Sequence, residues 1–120
     1  MIFISSLMMK ISYANNRVGN ACVYMKRCTH DYGADCAAII MRRRSQMEAA
    51  VSLAEFLRLP GKGHELTGDL AGHYAVAINA DYRIIFRPLP EPPPRTPDGG
   101  IDTDKVVHCL ITEIRDYHDR

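Results

Sequence analysis

Residues 64–86 constrain the fold more than any other stretch, because short alternating runs are broken there by turn residues. Tyr74, Val76 and Ile78 recur at period two, Ala80-Asp81 make a turn, and Tyr82, Ile84 and Phe86 resume the alternation. That pattern predicts a β-hairpin. Successive side chains on a strand point to opposite faces, so Arg83 falls on the face away from Tyr82, Ile84 and Phe86. A sheet with a core on one side and a cation on the other has a surface to use.

The rest of the chain supplies the layer that covers the apolar side. Residues 9–13 alternate and predict a first strand, with residues 1–8 as a possible N-terminal extension. Asn15 or Asn16 can cap a first helix carrying Val18, Cys22 and Met25, which Asp31-Tyr32-Gly33 stops. A second helix is predicted from Asp35 to Leu57, with Ile40, Met47, Val51 and Ala54 as its buried stripe. At about 100° per residue, Arg42, Arg43 and Arg44 cannot share a face, so at least one meets solvent while another can lie beside the sheet. Leu59-Pro60-Gly61-Lys62-Gly63 ends the helix and hands the chain to a strand at His64. Gly68 and Gly72 bracket a tight turn.

Residues 88–104 form a proline-rich loop, holding six of the seven prolines by residue 97. Such a run predicts an extended or mobile excursion from the sheet rather than a domain boundary. Residues 106–114 read as a continuous apolar strand with both faces covered. The expected fold class is α+β: a small, mainly antiparallel sheet of four to five strands with two N-terminal helices packed on one face, all in a single domain spanning residues 1–120.

Composition narrows the function classes. At 120 residues the chain can bury roughly two-thirds of its unfolded surface without a metal or disulfide. Cys22, Cys28, Cys36 and Cys109 lack zinc-site spacing and read as reduced, buried thiols. Residues 1–8 are apolar but too short to span a bilayer and lack a leading positive charge, so a cytoplasmic protein without membrane contact is expected. The net charge of +1 hides an asymmetry of +4 in residues 1–60 against −3 in residues 61–120. Any nucleic-acid contact must therefore come from a local patch. Arg42, Arg43 and Arg44 with Lys26, Arg27 and Lys10 are one candidate; a solvated helix face is the plainer reading.

The order Leu59-Pro60-Gly61, His64-Glu65-Leu66-Thr67-Gly68-Asp69, Gly72, Asp81-Tyr82-Arg83-Ile84-Ile85-Phe86 and Asp116-Tyr117-His118 resembles the RelE/HigB-like toxins of type II toxin–antitoxin pairs, in the RelE/ParE superfamily. The resemblance runs from about Met9 onward and is tightest over residues 59–86 and at the C-terminal end. It implies a RelE-like fold and an endoribonuclease that cleaves messenger RNA within a translating ribosome, with no cofactor. It also implies a HigA-like helix-turn-helix antitoxin as partner, and operator DNA reached only through that complex. By the same resemblance His64, Arg83, Tyr117 and His118 are the catalytic candidates, and Lys62, Thr67, Arg87 and Asp116 the substrate-binding ones. Relatives often carry Lys where this chain has Thr67, so Lys62 or Arg87 would have to supply that charge.

The residue types suit the chemistry. RNA carries its own nucleophile, so cleavage needs a base for the 2′-hydroxyl proton, a cation for the phosphorane and an acid at the leaving oxygen. Imidazoles and a guanidinium fork serve these needs without a metal. Plainer readings stand beside each assignment: His30, His73 and His108 are read as structural, Arg83 could pair with Glu113 or Asp116, and Asp69 with a turn cap. Two other functions stay open: a non-enzymatic inhibitor of DNA gyrase, as ParE relatives are, or an inactive homologue that only pairs with its antitoxin and helps repress the operon.

Overall fold

The computed structural model describes residues 8–117. Residues 1–7 of the possible extension, and His118, lie outside the described residues. The elements in chain order are β1 (Lys10–Tyr13), α1 (Asn16–Val23), α2 (Met25–Tyr32), α3 (Ala34–Ala49), α4 (Leu53–Leu57), β2 (His64–Glu65), β3 (Tyr74–Ala77), β4 (Tyr82–Pro88) and β5 (His108–Asp116). The strands form one five-stranded sheet in the order β1-β5-β4-β3-β2. Only β1 and β5 run parallel; the other neighbours are antiparallel. This is the α+β architecture that the sequence predicts, and among the described residues no helix is long and apolar enough to cross a membrane.

The helical layer is more finely divided than expected. Asn15 Oδ1 accepts from the Val18 N–H at 2.9 Å and starts α1, but the chain becomes extended at Tyr24 (φ −107°, ψ 109°) before α2 begins. The expected second helix also breaks. Ala50 is extended at φ −72° and ψ 146°, and α4 restarts behind a new cap, where Ser52 Oγ accepts from the Glu55 N–H at 3.3 Å. Glu55 Oε1 reaches back to the Val51 N–H at 3.0 Å. Ser-x-x-Glu is a capping-box sequence, and it outcompetes continuation of α3. The buried stripe therefore ends at Met47, and Val51 is exposed between the two helices.

Tyr82, Ile84 and Phe86 of β4 pack with Ile40, Met47, Leu53 and Phe56 in the core between sheet and helices. Phe86 contacts Phe56 edge-on at 5.9 Å between ring centroids and stacks on Tyr74 at 5.7 Å. The four cysteines are free and buried. Burial pushes the Cys22 and Cys109 thiols up to about 12 and the Cys28 thiol up to about 11, so these sulfurs stay protonated and inert.

In β5, Cys109, Ile111 and Ile114 all face the core, a spacing that strict alternation forbids. A bulge resolves it: Ile85 pairs with Glu113 and Phe86 with Ile111, leaving Thr112 as the extra residue, its hydroxyl donating to the Ile85 carbonyl at 3.1 Å. Only one face of this strand is covered, contrary to the expectation from its apolar run, because the helices lie on one side of the sheet.

The proline-rich loop is a folded excursion. Pro88 closes β4 opposite Cys109 and Pro93 is buried. Arg95 bridges Ile101, and the backbone bonds Thr96 N–H to Gly100 O and Asp102 N–H to Pro94 O close the loop on itself. Replacing Ser52 with Ala should lower stability by about 1 kcal/mol, the usual cost of losing a helix cap, read as a melting temperature a few degrees lower.

Candidate functional site

The uncovered face of the sheet is built from residues that alternate away from the core. On β4 these are Arg83, Ile85 and Arg87; on β3, Ala75 and Ala77; on β2, His64; on β5, Glu113 and Arg115. The register arranges them in rows. Ala77, Arg83 and Arg115 lie side by side, and His64, Ala75, Ile85 and Glu113 form the next row. Between the strand of His64 and that of Arg83, β3 contributes only methyl groups to this face.

Arg83 is anchored at the β3–β4 turn. Asn79 Oδ1 accepts from the N–H groups of Asp81 and Tyr82, both at 2.9 Å, which fixes the turn. The Arg83 guanidinium then donates to the Asn79 carbonyl at 2.5 Å and the Tyr82 carbonyl at 3.0 Å. Tyr117 is brought to the same place by its own N–H, which donates to the Asp81 carbonyl at 2.6 Å. Its ring lies 5.6 Å from the guanidinium carbon, a cation–π distance.

Arg115 stands directly opposite Arg83 and was not among the residues singled out from the sequence. It holds Glu113 through two nitrogens, at 3.1 Å and 3.0 Å. That pairing, with Tyr117 adding to it, raises the guanidinium pKa further, so Arg115 is charged at every working pH. Glu113, one carboxylate suggested for Arg83, is thus gripped by Arg115. Like charges directly opposite on neighbouring strands are destabilising, and here each guanidinium is held by its own partners, Arg115 by Glu113 and Arg83 by the turn carbonyls.

His64 is exposed on β2, and its Nδ1 donates to the Lys62 carbonyl at 2.9 Å. A carbonyl can only accept, so in the neutral ring Nε2 carries the lone pair and can take a proton. Lys62 itself has φ +56°, and the Gly61 carbonyl accepts from the Ala77 N–H at 2.8 Å, which continues the line of β2 beside the Arg83 row. Two strand spacings put the backbones of Lys62 and Arg83 about 10 Å apart.

The remaining candidates are placed elsewhere. Asp116 pairs with Tyr82 and so lies on the helix side, where it lines a cavity of about 290 Å³ with Arg17, Asp31 and Tyr32. Thr67 is exposed just before a 3₁₀ turn at Gly68–Leu70, beyond the end of β2 and away from the Arg83 row. Arg87 shares the face of Arg83 but sits about 13 Å along β4 and reaches Glu91 at 3.4 Å. Of the two cations considered for the charge missing at Thr67, Lys62 is the one beside Arg83. The helical arginines do not form a patch: Arg43 donates to the Ala77 carbonyl at 2.9 Å, Arg44 pairs with Glu48, and Arg42 is exposed.

The same face holds more than the sequence suggested. Ser12 Oγ lies 2.8 Å from His108 Nε2, and His73 falls in the row of Arg87, next to Ala75. Neither histidine had a motif to mark it; the cue was the register, which places residues 73, 75 and 77 on the side of 83, 85 and 87.

No family model matches this sequence, and no curated protein matches it significantly. Solved structures do. The chain is similar to a YoeB/ParE toxin from Agrobacterium tumefaciens, with a TM-score of 0.52 and 16% identity over 92% of this chain and 100% of that one. It is equally similar to YoeB in the dimer from Staphylococcus aureus, with a TM-score of 0.52 and 16% identity over 92% of this chain and 97% of that one. The chain has the YoeB/ParE toxin fold. At this identity the likeness is one of architecture, and it agrees with the RelE-like fold implied by the motif order.

Two measurements check this geometry. Gly61 has φ +127°, and a Cβ there would sit 2.6 Å from Val76 Cγ2 and 3.0 Å from Arg43 Nε. Gly61→Ala should therefore cost about 1–3 kcal/mol in urea unfolding, by forcing the Lys62–His64 loop off the sheet. Burial first, and then the charge of Lys10, hold the His108 pKa below the usual histidine value. The unfolded chain then binds the proton more readily, so stability is full above about pH 6.5 and falls as the pH drops below it. His108→Asn should flatten that acid limb of the urea midpoint against pH.

Proposed function

We propose that this protein is the toxin of a type II toxin–antitoxin pair and acts as a metal-independent endoribonuclease on ribosome-bound messenger RNA. The observation that carries the reading is the cross-strand pair Arg83 and Arg115 on the uncovered face, with Tyr117 over one guanidinium and His64 and Lys62 across two alanines. A polyanion would meet cations from two neighbouring strands there, and the ring offers a surface on which a base can stack.

In the proposed reaction, His64 Nε2 removes the 2′-hydroxyl proton and the 2′-oxygen attacks the adjacent phosphorus. Arg83, with Arg115 and Lys62 around it, stabilises the negative charge that grows on the phosphorane oxygens. The bond to the 5′-oxygen breaks, and the leaving oxygen takes a proton from an acid, the role assigned to His118 by its place in the motif. The products are a 2′,3′-cyclic phosphate and a 5′-hydroxyl, so no water, oxidant or metal enters the balance. Arg87 continues the track for the RNA backbone along β4. Thr67 and Asp116 are secondary to this reading, because both lie away from the Arg83 row. The partner is a helix-turn-helix antitoxin whose acidic groups neutralise the same face when bound.

Arg83→Ala should lower the cleavage rate by about 10²–10³, the cost of removing one donor that acts in the transition state. Primer extension across messenger RNA after induction measures it: defined cuts that fade in Arg83→Ala and His64→Ala bear out the proposal. Intact messenger with stalled gyrase in cells expressing the unaltered chain would replace it with the gyrase-inhibitor reading.

A further inference from the structure

At the far end of β4, the folded excursion closes over the turn before β3 and leaves a cavity of about 270 Å³. Its walls carry two guanidinium groups, from Arg87 and Arg95, and two carboxylates, from Glu65 and Glu91, with Pro93 on one side. His73 lines it as well, and the Nδ1 of that ring is buried without a hydrogen-bond partner among the described residues. Buried ring nitrogens are nearly always paired, so this one is an unmet bond in the cavity wall, and a turn of the ring is needed to offer it to a ligand.

We infer that this cavity takes a single nucleobase of the RNA strand lying across the Arg83 face, and that it sets which sequences are cut. A bare phosphate is a poor occupant, since Glu65 and Glu91 would repel it. A base suits the walls because its edge presents donors and acceptors together, matching carboxylates, guanidinium N–H groups and an imidazole, while its faces stack on a guanidinium plane or a proline ring. The volume is at the small end for ligand sites and fits one ring system rather than a peptide or a duplex. Placement agrees: Arg87 is on the same side of β4 as Arg83 and about 13 Å along it, within the span of a short oligonucleotide. The excursion supplies Glu91, Pro93 and Arg95, so the proline-rich segment builds one side of the pocket and the sheet the other.

The source of the base rests on the nuclease reading, but binding to the cavity does not, and the test separates them. The full chain is titrated with adenosine, guanosine, cytidine and uridine 5′-monophosphates, followed by amide shifts at Gly72 and His73, and the cut sites in messenger RNA are sequenced in parallel. At least one mononucleotide should bind and shift those amides, and Arg95→Ala, at an exposed position that leaves the core intact, should weaken it tenfold or more. His73→Ala should do likewise. Arg42→Ala, at an exposed position on the helical layer, should bind as well as the unaltered chain. In the parallel experiment Arg95→Ala should blur the base preference at the cut sites.

Failure of all four mononucleotides to bind, binding indifferent to both Arg95→Ala and His73→Ala, or an unaltered cut-site preference in Arg95→Ala would each overturn the inference. A chain that binds a mononucleotide through Arg95 yet cuts no messenger supports the pocket and overturns the nuclease reading instead.

Discussion

One extra residue in one strand decides what the uncovered face can do. Without the bulge at Thr112, β5 would keep strict alternation, and with Cys109 and Ile111 in the core Glu113 would be inside and Ile114 outside. Burying a carboxylate beside Ile84 would be costly enough to forbid that register. The bulge re-phases the strand, so that the apolar run is satisfied on the helix side while Glu113 and Arg115 emerge together next to Arg83. Core packing and the charged face are therefore two results of the same local distortion.

That distortion sets Arg83 and Arg115 opposite each other in the ladder, and the surrounding bonds show how the fold tolerates it. Arg115 is neutralised by Glu113 held through two nitrogens, and the Arg83 charge is spread toward two backbone carbonyls at the turn and the face of Tyr117. None of these contacts is deeply desolvated, so the screening is partial and a field remains for an incoming anion. A chain selected for stability alone would place an opposite charge across from Arg83. Such local inconsistency with stability is what makes this face the candidate site.

Most of the architecture was legible because it is written in short periods. The hairpin over 74–86, the β1 strand, the Asn15 cap and the divergence of Arg42, Arg43 and Arg44 all follow from alternation or from the turn per residue. The breaks were missed where two rules compete within a few residues. Between Ala50 and Ser52, helix periodicity favours continuation and the Ser52–Glu55 box favours a new start, and the box wins. At Tyr24 the chain turns extended between two helices with no Gly or Pro to announce it. For the site, Arg83 could be assigned to its face from neighbours one and two positions away. Arg115 could not, because its side depends on a bulge twenty-seven positions from the strand residue it serves, Ile85 to Thr112. Asp116 went to the opposite side for the same reason: alternation counted back from Tyr117 is the only local cue at a strand tip.

The central position of β4 explains why a single strand can organise both ends of the face. Flanked by β3 and β5, it is fixed by hydrogen bonds along both edges and by Ile84 and Phe86 beneath, so Arg83, Ile85 and Arg87 project from a rigid ruler. Arg83 at its start is tied to the turn that precedes it, and Arg87 near its end is tied to the excursion that follows. Ile85 between them is fully buried although it faces away from the helices. The middle of the face is thus closed over and the two ends carry the charge. The two cations at the ends of β4 are separated by this closed stretch, and the spacing of their backbones is set by the strand itself, which no side-chain motion can alter.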